Sequence, residues 1–129
     1  MRQEIDAETD ALAKEVVDAS LKVRKSLGPG LLESVYEACL LHELRTRGVS
    51  VRNQVVLPVK YDGITIEAGL RLDMLVAERL IVELKSVESL QPIHESQLIT
   101  YLKLSGLRLG LLINFNVRFL RDGIRRIAN

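Results

Sequence analysis

Between Asp6 and Leu27 the apolar residues Leu12, Val16, Ala19, Val23 and Leu27 recur every three or four positions, with Asp, Glu, Lys and Arg between them. That spacing lines one face of a 3.6-residue turn and predicts an amphipathic helix over about 6–27. Gly28-Pro29-Gly30 ends it. A second stripe, Leu32, Tyr36, Cys39, Leu40 and Leu44, predicts a helix over about 32–47 that stops at Gly48, so two helices are joined by a short turn. The pattern then changes to short β-branched runs. Asp62-Gly63 reads as a hairpin turn between Val55–Tyr61 and Ile64–Gly69, and two more strands follow at Leu70–Val76 and Leu80–Val87. Pro92 opens a third helix to about Leu104, with Ile93, Gln97, Leu98, Tyr101 and Leu102 on neighbouring turns and Gly106 as its stop. The apolar run Leu107–Phe115 is a buried strand, and Arg118–Ile127 a weaker tail around Asp122-Gly123. There is no repeat and no linker. The order of elements predicts a single α/β domain over residues 1–129, a mixed β-sheet flanked by helices, in which the strand after the third helix pairs in parallel.

A chain of 129 residues needs one core, and 47% hydrophobic with 27% charged residues excludes disorder and collagen-like structure. Eighteen basic and seventeen acidic side chains leave a charge of +1, so a nucleic-acid site, if present, is local. Aromatic residues make up 4%, too few for a platform of several stacked bases. The single Cys39 excludes an internal disulfide and a zinc site built on several thiolates, and reads as a small buried hydrophobe. The start, Met1 to Asp6, lacks a leader-like apolar stretch, and runs such as Leu109–Ile113 are too short to span a bilayer. The expectation is a cytoplasmic protein with no membrane partner.

Several chemistries fail on inspection. Gly28-Pro29-Gly30 lacks the Lys-Ser/Thr of a phosphate-binding loop, and His42 and His94 have no ligand spacing with each other or with Cys39. The informative stretch is Arg71-Leu72-Asp73-Met74-Leu75-Val76 followed by Ile81-Val82-Glu83-Leu84-Lys85, where ionised groups interrupt apolar strands. The two-residue period sets Glu83 and Lys85 on one face with Ile81. If Asp73 lies beside Glu83, two carboxylates converge, which requires that one be protonated or that a cation neutralise both. An all-oxygen site suits Mg²⁺ or Mn²⁺, and Lys85 on the same face can stabilise the charge of a phosphodiester under attack. That convergence demands an odd-length loop or a bulge between the two strands. A two-residue Glu78-Arg79 turn would send Asp73 to the opposite face, whereas an odd loop sets Leu75 opposite Ile81 and Arg71 opposite Lys85.

The Asp73, Glu83-Leu84-Lys85 arrangement resembles the PD-(D/E)xK nuclease superfamily, and Gly30-Leu31-Leu32-Glu33-Ser34-Val35-Tyr36 is similar to the signature of its small GxxExxY proteins. The Gln97-to-Tyr101 spacing resembles the QxxxY helix motif of RecB-like nucleases. The resemblance covers about Leu12 to Ile127 and departs from the superfamily name at Leu72, where proline would precede the Asp. It implies a restriction-endonuclease-like core and a Mg²⁺- or Mn²⁺-dependent nuclease. Asp73 and Glu83 would be metal ligands, with the Leu84 backbone carbonyl a third and Glu33 a further ligand, directly or through water. Lys85 would orient or activate water, and Gln97 with Tyr101 would hold a phosphate or the Lys85 side chain. The implied partner is nucleic acid, DNA first, with a homodimer or partner protein suggested by the small size. The alternative from another class is a catalytically inactive binding or assembly module of the same fold. Plainer roles stand beside these. Helix-dipole stabilisation accounts for Glu33 and core packing for Tyr36 and Tyr101, Gln97 on an inner helix face needs partners, and Arg118, Arg121, Arg125 and Arg126 are either phosphate contacts or a solvated tail.

Overall fold

Asp6 opens the first helix by accepting a hydrogen bond from the Thr9 N–H at 2.7 Å, the side-chain cap that an acidic residue supplies to a free helix N-terminus. The computed structural model describes residues 4–129; Met1, Arg2 and Gln3, on which part of the expectation about the chain's start rests, lie outside the described residues. In chain order the elements are α1 (Ala7–Leu27), α2 (Glu33–Thr46), β1 (Val51–Tyr61), β2 (Ile64–Val76), β3 (Leu80–Lys85), α3 (Pro92–Ser105), β4 (Leu109–Asn114) and, after a 3₁₀ turn at Leu120–Gly123, β5 (Ile124–Ala128). The strands lie in the order β1-β2-β3-β4-β5, and β3 and β4 pair in parallel while every other pair is antiparallel. This is the mixed sheet expected, with its parallel pair across α3.

Both faces of the sheet are covered. On one, Val16, Ala19 and Val23 of α1 and Tyr36, Leu40 and Leu44 of α2 pack on Met74, Val76, Val82, Leu84, Leu111 and Ile113. On the other, Leu98 and Leu102 of α3 pack on Leu72, Leu75, Ile81 and Leu112. Alternation along β3 is therefore as the period dictates: Val82 and Leu84 point to the helix pair, and Ile81 points to α3.

The structure differs from the sequence expectation in several places. Leu27 and Leu32, at the end of α1 and just before α2, are exposed. The runs 64–69 and 70–76 form one strand, jogged where the register with β1 shifts between Leu57 and Val59. Gly69 permits that jog, since a Cβ there would lie 2.6 Å from the Val59 Cβ and 2.8 Å from its backbone nitrogen. The third strand ends at Lys85 rather than at residue 87. On α3, Ile93 and Gln97 are exposed, since this helix buries only the narrow stripe of Leu98 and Leu102. The tail supplies an edge strand, β5, which pairs with β4 from Leu109↔Ala128 to Ile113↔Ile124. None of the described helices is long and apolar enough to cross a membrane.

Candidate active site

The loop from β2 to β3 is Ala77-Glu78-Arg79, of odd length, closed by the Arg79 N–H donating to the Val76 carbonyl at 3.0 Å. It sets Val76 opposite Leu80, Leu75 opposite Ile81 and Met74 opposite Val82. The regular ladder ends there, so the expected pairing of Arg71 with Lys85 is not formed. Side chains replace the missing backbone bonds: the Asp73 N–H donates to Glu83 Oε2 at 3.2 Å, and the Leu84 N–H donates to Asp73 Oδ2 at 2.9 Å. On the other flank of Asp73, Gln54 leaves the β1–β2 ladder with φ +52° and donates its side-chain amide to Glu37. The sheet thus opens around Asp73 on both sides, and the two carboxylates meet in the gap.

Their electrostatics follow from burial. Glu83 is 6% exposed, and its Oε1 is buried without a hydrogen-bond partner. Burial, then a hydrogen bond with Asp73 and the charge of Asp73, push its carboxyl up to about 9, against a smaller opposing pull from Lys85. Glu33, the first residue of α2, is also raised, by burial and then by the charge of Asp73, with Lys85 and Arg71 acting to lower it. Tyr101 is raised by burial and by the charges of Glu83 and Asp73, and its hydroxyl meets the Gln97 side chain, which lowers it. Glu33, Asp73, Glu83, Lys85 and Tyr101 therefore share one electrostatic neighbourhood, with Gln97 reaching it through Tyr101. Gln97 is exposed rather than an inner-face amide, because α3 turns only Leu98 and Leu102 fully inward.

The GPG turn is fastened by Tyr36. Its hydroxyl donates to the Gly28 carbonyl at 2.6 Å and accepts from the Leu31 N–H at 3.2 Å, while its buried ring stacks on Phe115 with centroids 4.5 Å apart. Gly30 sits in the same turn at φ +90°, a conformation that favours glycine. The Gly, Glu and Tyr of the motif thus divide the labour: Gly30 makes the turn, Tyr36 pins it, and Glu33 faces the charges of Asp73 and Lys85. The Ser86 hydroxyl adds a tie, donating to the Leu31 carbonyl at 2.7 Å.

Two further residues shape the site: Asn114, which escaped the sequence reading, and Arg71, which that reading placed only by register. Asn114, buried at the end of β4, accepts from the Val87 N–H at 3.0 Å and donates to the Val87 carbonyl at 2.9 Å, which holds the chain as it leaves Lys85. An amide at the end of an otherwise apolar run was the available signal. Arg71 acts by charge on both Glu33 and Tyr101. Of the tail arginines, Arg125 pairs with Glu95 at 3.5 Å and Arg126 with Asp10 at 2.8 Å, so both are engaged within the fold. His94 Nδ1 accepts from the Gln91 N–H as part of a capping box, and Cys39 is half-buried against the core.

Among the described residues no group of three His, Cys, Asp or Glu is gathered for a metal ion, so Glu33 does not close a carboxylate cage with Asp73 and Glu83. Two carboxylates, one with an orphaned buried oxygen, nonetheless fit a hard divalent cation that takes oxygen donors and keeps several waters. Leu72, in the place of the superfamily's proline, is fully buried and pairs with Val55 in the ladder.

A family model described as the PD-(D/E)XK nuclease superfamily matches residues 10–127 of this chain. Among solved structures, the crystal structure of SSO0001 is similar with a TM-score of 0.51 at 19% identity, covering 93% of this chain and 58% of that one. At that identity the likeness is one of fold, and this chain spans little more than half the length of the other. No curated protein matches.

Proposed function

The chain belongs to the PD-(D/E)XK nuclease superfamily, and on that premise we propose that it is a divalent-metal-dependent nuclease that hydrolyses phosphodiester bonds, with DNA the first substrate to test. Nucleases of this superfamily generally use divalent metal ions. The observation that carries the reading is the Asp73–Glu83 pair, with Glu83 Oε1 buried and unpartnered beside it. Asp73 and Glu83 would hold Mg²⁺ or Mn²⁺ together with the Leu84 carbonyl, and Glu33 would act through water. When bound, the ion supplies positive charge for the scissile phosphate and a water of lowered pKa. Lys85, at the end of β3, meets the charge that develops on the phosphate. Tyr101 and Gln97 orient a phosphate oxygen, with the Tyr101 hydroxyl kept protonated as a donor. The Gly30, Glu33 and Tyr36 motif supports a place among the GxxExxY proteins.

The test is purified protein with Mg²⁺ or Mn²⁺ on a panel of single- and double-stranded DNA and RNA. Lys85→Ala is expected to lose cleavage by about 100-fold or more and to keep its thermal response to metal, whereas Glu83→Gln loses both. A wild-type protein that cleaves nothing, or a Lys85→Ala variant as active as wild type, removes this reading. That no third carboxylate is gathered among the described residues favours a second reading, a catalytically silent binding or assembly module, which expects nucleic-acid or protein binding that no metal changes.

A further inference from the structure

Away from the carboxylate pair, Arg118 and Arg121 lie against the ring of Phe119, and Lys25 lines the same groove. The guanidinium carbons of Arg118 and Arg121 lie 5.2 and 6.0 Å from the ring centroid, and Phe119 is 52% exposed. Among the described residues these three cations have no carboxylate partner, while Arg47, Arg52, Arg79, Arg125 and Arg126 are all ion-paired. Asp122 is the one acid in segment 115–123, and it pairs with none of them. In a chain of net charge +1 this is a local concentration of uncompensated positive charge around an apolar ring.

The segment is also held in place. Arg24 of α1 donates from Nε to the Phe115 carbonyl at 3.0 Å and from Nη2 to the carbonyls of Val117 and Arg118. A groove of about 440 Å³ runs between it and the last turns of α1, lined by Lys25, Arg118, Phe119 and Arg121 among others. The Phe115 N–H donates to the Lys85 carbonyl at 2.9 Å, so Phe119 lies four residues along the chain from a point bonded to the end of β3. Four residues reach at most about 14 Å, or about four stacked nucleotides at about 3.4 Å each. A second groove, of about 680 Å³, is lined by Glu33, Ser86 and Asn116 and so joins this segment to Glu33, which feels the charge of Asp73.

Phosphates are met by unpaired Lys and Arg, and an exposed ring with guanidinium planes beside it offers a stacking surface to a base. Bases within a duplex are already stacked, so such a surface discriminates in favour of an unpaired nucleotide. A single ring suffices for a single base, which the low aromatic content allows. We propose that Phe119, Arg118, Arg121 and Lys25 form a contact site for an unpaired nucleotide of the substrate strand, so that the protein takes single-stranded nucleic acid or a single-stranded tail. The proposal rests on the nuclease reading and specifies its substrate.

The experiment is fluorescence anisotropy of a labelled oligothymidine and of a labelled duplex of equal length, in EDTA so that turnover does not intervene. Phe119→Leu, a change at an exposed position, is expected to leave the thermal midpoint unchanged, to weaken single-strand binding by about five-fold or more and to alter duplex binding less than two-fold. The double variant Arg118→Gln, Arg121→Gln is expected to weaken both and to make the single-strand salt dependence shallower by about 1.4 in the log–log slope. Unchanged single-strand binding in Phe119→Leu overturns the proposal. So does an equal loss on duplex, or a wild type that binds neither probe, the result expected if an acidic protein covers this patch. Cleavage in Mn²⁺ separates the two readings. A wild type that binds as expected and does not cleave removes the nuclease reading alone, whereas one that cleaves single strands as Phe119→Leu does removes the contact site alone.

Discussion

A buried carboxyl group beside a second carboxylate, with one oxygen unpartnered, keeps its proton beyond the usual carboxylate range, and Glu83 is pushed up to about 9 from 4.5. The sign of the consequence is fixed by which state holds the proton. Between these two values the native protein binds a proton that the unfolded chain has released, so the stability contributed by this group is fully present below pH 4.5 and declines as pH rises toward 9. The slope contributed by this group is at most about 1.4 kcal/mol per pH unit. Urea unfolding of metal-free protein in EDTA at pH 5, 7 and 9 should show the decline, and Glu83→Gln, which has no proton to lose, should flatten it. An equal slope in both proteins would assign the proton elsewhere. Glu33 is shifted in the same direction and adds to the slope with the same sign.

Among the elements, the β2–β3 hairpin pairs strands of high burial with a loop of poor local geometry. Ala77 and Glu78 adopt φ +50° and +56° without being glycine, a cost of about 1–2 kcal/mol per residue. The fully buried Val76, Leu80, Ile81 and Val82 outweigh it, and a two-residue turn would send Asp73 to the face opposite Glu83. Helix α3 is positioned by a close approach. A Cβ on Gly110 of β4 would lie 2.8 Å from Leu98 Cδ1, so the absent side chain is what lets α3 sit near the sheet and bring Tyr101 toward Glu83. Gly110→Ala should therefore destabilise by about 1–3 kcal/mol through overpacking. Chemical denaturation of Gly110→Ala, Leu98→Ala and the double variant checks the cause: the double should cost less than the sum, since the added methyl occupies the space Leu98 leaves. Strict additivity would place the strain elsewhere.

For the molecule as a whole, the proposed metal site makes the carboxylate pair a place where a bound cation would stabilise the fold. A ligand bound only by the native state stabilises by about 2.7 kcal/mol at one hundred times its dissociation constant, equivalent to a rise of several degrees in midpoint for a domain of this size. Thermal unfolding of wild type should rise with Mg²⁺ or Mn²⁺ over EDTA, and Asp73→Asn should lose most of that rise. An equal rise in the variant would show that the ion binds at some other place on the surface.

Much of this architecture was legible because burial leaves a periodic trace. The three helices, the Asp62-Gly63 turn and the apolar run of β4 follow from spacing and from Gly and Pro alone. Asp73, Glu83 and Lys85 stood out because ionised groups on otherwise apolar strands need a reason. The odd parity of the β2–β3 loop was deducible too, since side-chain direction alternates strictly. Other features depend on neighbours distant in the chain, and no local pattern encodes those. The opening of the ladder around Asp73, the exposure of Gln97, and the engagement of Arg125 and Arg126 while Arg118 and Arg121 stay unpaired are of this kind. β5 was missed because an edge strand buries too little for its apolar residues to show a period. The motif Tyr36 shows both sides of the division: its helical spacing announced a core aromatic, but only the packing of α2 against the GPG turn decided that its hydroxyl would hold Gly28 and Leu31 in place beside Glu33.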